Sequence, residues 1–143
     1  MISFVIPGEP KAKARPRTTK KGHTYTPEQT VNYENWVKLC YQNSENKIMY
    51  ENKPLIAEIT AFFTIANSKS KKDKKAMEAG RIKPTKKPDV DNIAKIILDS
   101  LNGLAYKDDS QVVNLSVVKY YSKMPRVEVN IYEAEEVQGN ERR

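Results

Sequence analysis

The sequence predicts an α/β fold of the α+β kind, with a single mixed sheet of about four strands and helices packed on it. Short segments rich in β-branched and aromatic residues indicate the strands, and segments with apolar residues at helical spacing indicate the helices. These elements follow in the order β-α-β-α-α-β-β, without an internal repeat. A chain of 143 residues can form its own core. We therefore expect one domain over residues 1–133 and a polar tail over residues 134–143.

The chain opens with a predicted strand at residues 2–6, which the Pro7-Gly8 turn ends. Pro10 and Pro16 then interrupt the segment GEPKAKARPR, so it is poor helix material. We expect an extended, exposed arm at this point. The arm carries four cationic side chains, namely Lys11, Lys13, Arg15 and Arg17.

A first helix is predicted from residue 26 to about residue 42. Thr26 is suited to the N-cap, Pro27 to the first helical position and Glu28 to the positive end of the helix dipole. Its lone cysteine, Cys40, is expected to be a buried and inert thiol rather than a nucleophile. The residues expected on its buried face are Val31, Trp36, Leu39 and Cys40.

The segment at residues 55–65 is dense in apolar and β-branched residues, which predicts a central strand. Residues 68–80 have a helix-forming composition that ends at Gly80, but few of them are apolar. This segment is therefore predicted to be either a marginal basic helix or a loop.

A stronger helix is predicted over residues 92–102, with Asp91 as its N-cap and Gly103 as its stop. Its apolar arc is expected to consist of Ile93, Ile96, Ile97, Leu98 and Leu101. Residues 112–121 and 126–132 then alternate as half-buried strands do, and residues 123–125 are predicted to join them as a hairpin-like connection.

The charge of the chain favours a polyanionic partner. There are 25 Lys and Arg against 18 Asp and Glu, which gives a formal net charge of +7. Residues 9–21 hold six of the cations and residues 69–87 hold nine, including Lys86 and Lys87 beside an acidic motif. Such runs are often only solvated surface, but two runs around one acidic motif favour nucleic-acid binding. No stretch of apolar sequence predicts a membrane span or a signal peptide, so we expect a cytoplasmic protein.

The acidic motif lies within residues 86–112, KKPDVDNIAKIILDSLNGLAYKDDSQV. Asp89 and Asp91 are two residues apart at the helix entry, so both can face one side and share a hard cation. Lys95 and Asp99 follow at intervals of four, which predicts a polar stripe opposite the apolar arc. Asp109 belongs to a second acidic pair with Asp108, after the helix.

Aspartates in this arrangement suit phosphodiester hydrolysis, in which Mg²⁺ activates water and neutralises phosphate charge. Each residue also has a structural alternative: Asp91 as a helix cap, Asp89 and Asp108-Asp109 as turn acids, and Lys95 as the salt-bridge partner of Asp91. A calcium-binding EF-hand is excluded because the loop glycine is absent. A histidine-based metal site is excluded because the chain has one histidine.

The pattern resembles that of the RusA family of Holliday junction resolvases, in which a D-x-D-N-x-x-K helix is followed by N-G and D-D-x-Q. The matching positions are Asp89, Asp91, Asn92, Lys95, Asp99, Asn102, Gly103, Asp108, Asp109 and Gln111. This resemblance implies a metal site of Asp89, Asp91 and Asp109, and Lys95 as a catalytic lysine. The adjacent Asp108 could exchange roles with Asp109.

The resemblance further implies a homodimer that binds four-way junction DNA and nicks two opposing strands during recombination and repair. We expect Mg²⁺ as the metal, with Mn²⁺ able to substitute, no nucleotide cofactor, and a bacterial or phage origin. The cations expected to contact DNA are Lys11, Lys13, Arg15, Arg17, Lys86 and Lys87. Two alternatives stay open: a nuclease acting on flaps, forks or RNA, and a junction-binding protein that does not cut.

Overall fold

A computed structural model describes residues 1–135, so most of the predicted tail lies outside the described residues. It confirms the fold class, a mixed four-stranded sheet with helices packed on it. The strands are β1 Ile2–Pro7, β2 Arg17–Thr18, β3 Thr24–Tyr25, β4 Leu55–Thr64, β5 Val112–Ser122 and β6 Arg126–Glu133. The helices are α1 Glu28–Gln42, α2 Lys71–Glu78 and α3 Val90–Ser100, and a short 3-10 turn spans Asp109–Gln111.

The strands of the main sheet lie in the order β1-β6-β4-β5. β6 is antiparallel to both β1 and β4, whereas β5 is parallel to β4. The predicted hairpin-like connection at residues 123–125 is therefore wrong, because β4 lies between the two strands that it joins. β4 is the most apolar strand and is buried, so both of its edges need ladder partners, and β5 and β6 supply one each.

The core lies between one face of the sheet and the helices α1 and α3. Alternate residues of β4 are buried on this face, from Leu55 to Phe63, and β1 and β6 contribute in the same way. β5, at the edge of the sheet next to β4, does not show the expected alternation of buried and exposed residues. Val113 is 65% exposed and Leu115 is 44% exposed, while Val117 and Tyr121 pack partly against the core.

The apolar arc predicted for α3 is confirmed. Its five expected members are 7% exposed or less, and they cover the sheet together with α1. The helix ends with Leu101 as its C-cap, and Gly103 follows with φ of +79°, a conformation that favours glycine. The side of α3 opposite this apolar arc is accessible to solvent, and it carries the exposed Asp91 and Lys95.

α1 has the predicted length but presents a different face to the core. Its N-cap position is taken by Pro27 rather than Thr26. The buried residues are Thr30, Tyr33, Val37 and Tyr41, whereas the expected Val31, Trp36 and Leu39 are exposed and Cys40 is half-buried.

The physical reason is that tyrosine rings fill the space that purely apolar residues were expected to fill. The Tyr41 ring packs edge-on against Phe4, with ring centroids 5.6 Å apart, while its hydroxyl donates to the Ile48 carbonyl. Trp36 lies at the rim, where its indole N–H donates to the Pro7 carbonyl at 2.8 Å. Burial raises the pKa of the Cys40 thiol, which is consistent with an inert side chain.

Part of each basic segment forms regular secondary structure. α2 confirms the helical alternative for residues 68–80, and the Ser70 hydroxyl caps it by accepting from the Asp73 amide at 3.1 Å. Arg17 is not part of a simple extended arm, because it begins the small β2–β3 ribbon and pairs with Tyr25. No helix described within residues 1–135 has the length and apolar character needed to cross a membrane.

Tyr106 anchors the C-terminal end of α3, and removal of its hydroxyl group should measurably lower the stability of the fold. Its side chain is fully buried, and its hydroxyl donates to the Leu98 carbonyl at 2.6 Å. Tyr106→Phe should lower the free energy of unfolding by about 1 kcal/mol, because one buried hydrogen bond is lost. Urea denaturation should show a lower midpoint with an unchanged slope. Tyr132→Phe, which loses an exposed hydrogen bond to Glu58, is the matched control, and an equal loss in both variants would contradict this role.

Candidate active site

The first pair of acidic side chains lies at the start of α3. Asp89 has extended backbone and occupies the N-cap position. Its Oδ1 accepts a hydrogen bond from the Asn92 side chain at 2.6 Å, and this bond is the main cause that holds the pKa of Asp89 below its usual value. The carboxyl group of Asp91 lies close enough to interact with that of Asp89. The two acids therefore form one exposed pair.

Asp91 was predicted to be the helix cap, and the structure corrects this. The helix begins two residues earlier than expected, at Val90, so the cap position falls to Asp89 and Asp91 lies in the first turn. Pro88 favours extended backbone at Lys87, the residue before it, and so does not prevent a helix from starting at Val90. Asp91 is therefore not the helix cap, which was the main structural alternative to its role as a metal ligand.

Asp99 and Asp109 form the second pair of acids in the structure, in place of the adjacent Asp108 and Asp109. Asp99 lies two turns further along the same side of α3. Asp99 Oδ2 accepts from Lys13 Nζ at 2.7 Å, and Lys95 Nζ lies 3.7 Å away. Burial would raise the pKa of Asp99, but the Lys13 hydrogen bond and charge outweigh it and lower the pKa. Asp109 lies beside Asp99, and its pKa is raised by burial and then by the neighbouring Asp99 carboxylate.

Asp108 and Asp109 have different environments, which bears on their possible exchange of roles. Asp108 caps the 3-10 turn: its carboxylate accepts from the Ser110 amide at 2.9 Å, and this bond lowers its pKa. Gln111 completes the capping box and donates to the Tyr50 and Lys53 carbonyls. Asp108 thus has a structural role as the cap of the 3-10 turn, and Asp109 is the acid that contacts Asp99 of α3.

Lys95 lies on the polar stripe of α3 between Asp91 and Asp99. Its side chain is 61% exposed, and its ion pair is with Asp99 rather than with Asp91. An exposed pair at this spacing stabilises the helix by less than about 0.5 kcal/mol. The stripe therefore presents an exposed cation between two pairs of carboxylates.

The expected metal ligands do not converge on one point. Asp89 and Asp91 form one pair, and Asp109 belongs with Asp99. Within residues 1–135 there is no group of three or more His, Cys, Asp or Glu side chains arranged to hold a metal ion. Magnesium nevertheless suits this donor set, because it typically takes one or two carboxylates, several waters and substrate phosphates. The carboxylate oxygens of either pair fit that chemistry.

A cationic groove of about 760 Å³ adjoins the first acidic pair. Its walls come from the arm and from the segment that leads into Asp89, and Pro10, Phe63 and Pro88 line it as apolar surface. Four of the six cations expected to contact DNA line this groove, namely Lys11, Arg15, Lys86 and Lys87. Lys13 lies instead against Asp99, and Arg17 lies on the β2–β3 ribbon.

The family model described as Endodeoxyribonuclease RusA matches residues 7–132 of the chain. The chain belongs to this family. The match runs from the end of β1 to β6, so it includes both acidic pairs and the groove. The chain is also similar to the uncharacterized protein YqaN of Bacillus subtilis (strain 168), at 40% identity over 139 residues, which covers 92% of this chain and 96% of YqaN. The resemblance found in the sequence is thereby confirmed.

In this RusA family member, the sequence did not point to Lys119. Its Nζ donates to the Lys86 carbonyl at 2.6 Å and lies 5.0 Å from the centroid of the Phe63 ring. Burial lowers the pKa of Lys119, although the negative charge of Asp89 opposes that shift. Lys119 thus holds the segment before Asp89 and adds positive charge beside it. A lysine within the strand-like run VVKYY is a signal, but only the register of β5 places it on the helix-covered face.

Proposed function

We propose that this RusA family protein is a Mg²⁺-dependent endonuclease that resolves four-way DNA junctions by paired nicks, in recombination and repair. Family membership supports the nuclease class. The observation that carries the proposal is the polar stripe of α3, on which Lys95 lies between two carboxylate pairs and next to the cationic groove. Mn²⁺ should substitute for Mg²⁺, because it accepts the same oxygen ligands.

The acids, Lys95 and the residues of the groove have different proposed roles in the reaction. Asp89 and Asp91 would hold the metal, and Asp109, which lies beside Asp99, would become the third ligand if the second acidic pair moves towards the first when metal and DNA bind. When bound, Mg²⁺ supplies an activated water and neutralises charge on the phosphate oxygens. Lys95 stabilises the negative charge that develops on the phosphoryl group, or orients the attacking water. The residues of the groove bind the backbone of the DNA beside the scissile phosphate.

We further propose that the active form is a homodimer. A four-way junction has two cleavage points related by approximate two-fold symmetry, and a two-fold dimer presents two identical sites to them. Paired nicks require both sites to be occupied on one junction. The measurement is the mass of the protein in solution and of its junction complex, and a monomer in both would contradict the proposal.

Binding of the junction should weaken steeply as salt rises. Each phosphate neutralised on a duplex arm contributes about 0.9 to the slope of log K against log salt. Lys87→Met should lower that slope by about 1 per bound protomer, because Lys87 lines the groove. The affinity is measured without divalent metal, and Lys47→Met in the exposed α1–β4 connection is the control. A flat salt response in the unaltered protein would remove the electrostatic basis for the groove.

The function is tested by comparing substrates under Mg²⁺ and Mn²⁺. A labelled four-way junction, a flap, a fork, a linear duplex and an RNA duplex are offered at equal concentration. We expect the four-way junction to be cut fastest and the linear duplex to be left intact. Faster cutting of flaps, forks or RNA would make the protein another kind of nuclease. Tight junction binding without cutting under either metal would make it a binding protein.

A further inference from the structure

Lys13 differs from the other cations of the basic arm. Its side chain is 25% exposed, and its Nζ lies 2.7 Å from Asp99 Oδ2 and 3.5 Å from Glu34 Oε2. One amino group thus joins three parts of the chain: the arm, α1 and α3. Its neighbours Lys11 and Arg15 line the groove instead. The hydrogen bond to Asp99 raises the pKa of Lys13, as expected for a cation held by carboxylates.

The carboxylate that Lys13 binds is next to a proposed metal ligand. Asp99 interacts with Asp109, and Lys13 also contacts Glu34 of α1. Lys95 also reaches Asp99, but at 3.7 Å and from a side chain that is 61% exposed. Lys13 is therefore the closest positive charge that offsets the repulsion between Asp99 and Asp109. Without it, Asp99 and Asp109 would be expected to move apart.

The backbone beside Lys13 is anchored as well. The Ala14 amide donates to Thr30 Oγ1 at 3.0 Å, and Thr30 is a buried residue of α1. Lys13 and Ala14 together dock the arm on the two helices. This docking sets where Lys11 and Arg15 enter the groove.

We propose that Lys13 is a positioning residue rather than a phosphate contact: it holds Asp99, and through it Asp109, in the arrangement that receives the metal. This inference rests on the proposed function. Groups that orient metal ligands from the next layer typically change metal affinity or activity by about 10- to 100-fold when they are replaced. A phosphate contact would instead act on junction affinity and its salt dependence.

The test compares Lys13→Met with Lys11→Met, a matched loss of one cation two residues away. Three quantities are measured: junction affinity and its salt slope without divalent metal, Mn²⁺ affinity without DNA, and the single-turnover cleavage rate against Mg²⁺ concentration. For Lys13→Met we expect an unchanged salt slope, Mn²⁺ affinity reduced by about 10-fold or more, and a Mg²⁺ requirement raised by a similar factor. For Lys11→Met we expect a salt slope lower by about 1 per protomer and an unchanged metal requirement.

Lys13→Arg should restore most of the metal affinity, because arginine keeps the charge and can pair with both carboxylates. Hydrogen exchange at the Ala14 amide should be faster in Lys13→Met than in Lys13→Arg. If Lys13→Met does not fold, as judged by near-ultraviolet circular dichroism, Lys13→Gln takes its place with the same expectations. A lower salt slope with unchanged Mn²⁺ affinity would overturn the proposal. If the unaltered protein fails to cut junctions, the proposed function fails, while the Mn²⁺ and exchange measurements still decide the role of Lys13.

Discussion

Asp91→Asn is expected to remove cleavage while leaving junction binding intact. Asparagine has the same shape but a weaker oxygen donor, so the metal loses one of its proposed ligands. Because a bound metal ion contributes several kcal/mol of charge stabilisation, the single-turnover rate should fall by about 10³-fold or more. The fold should be preserved, since Asp89 and not Asp91 occupies the N-cap of α3. The rate is measured at saturating junction with Mg²⁺, beside the junction affinity without metal.

Asp73→Asn is the matched control for this variant. Asp73 is also an aspartate in the first turn of a helix, α2, so the two substitutions have similar effects on the helix dipole. We expect Asp73→Asn to cut at nearly the unaltered rate. Cleavage by Asp91→Asn within a few-fold of that rate would exclude Asp91 as a ligand and return it to a role in helix stability.

Lys95→Ala is expected to slow the chemical step by about 10²- to 10³-fold, the usual effect of removing one group that stabilises transition-state charge. Metal binding should persist, because the proposed ligands are all carboxylates. The change in stability should be small, since the ion pair with Asp99 is exposed at the lysine end. Rapid-quench single-turnover kinetics give the rate, and calorimetry gives the affinity for Mg²⁺.

The control for Lys95→Ala is Lys38→Ala, which removes a lysine from α1 instead. It should leave both the rate and the metal affinity unchanged. A calorimetric loss of Mg²⁺ binding in Lys95→Ala would contradict the proposed role and make Lys95 a structural clamp for the acids. A loss of junction affinity with an unchanged rate would make it a DNA contact.

The sequence was sufficient for the elements that depend on local pattern. The wide apolar arc of α3 and the apolar density of β4 are properties of single segments, and both are found where they were predicted. The acidic motif was likewise visible, because Asp89, Asp91 and Asp109 lie close in the chain around one helix. The arrangement of segments in space was harder to predict.

Three differences have distinct physical causes. The short link between β5 and β6 suggested a hairpin, but the pairing was decided by the need of buried β4 for two partners. The buried face of α1 differs from the predicted one because the rings of Tyr33 and Tyr41 pack in the core. Tyrosine was not counted as a core residue in the sequence because it carries a hydroxyl group. The cap of α3 lies two residues earlier than predicted, at the first aspartate of the D-x-D motif, since both aspartates are good caps.

The site depends on contacts that no local pattern contains. Lys13 and Asp99 are 86 residues apart in the chain, yet they form the closest ion pair of the site. Lys119 reaches the segment before Asp89 only because β5 runs parallel to β4. Sequence spacing therefore identified the acids, but not the contact of Lys13 with Asp99, since Lys13 was expected to bind DNA, nor Lys119 beside Asp89.

Two identical metal sites are proposed to cut opposite strands of one junction. The most direct test is a synthetic four-way junction in which each of the four strands is labelled separately, incubated with Mg²⁺ or with a chelator. We expect nicks at symmetric positions on one opposing pair of strands, with both nicks in the same molecule, and no nicks in the chelator. Nicks at unrelated positions, cutting that persists in the chelator, or stable binding without nicks would contradict a pair of metal-dependent sites.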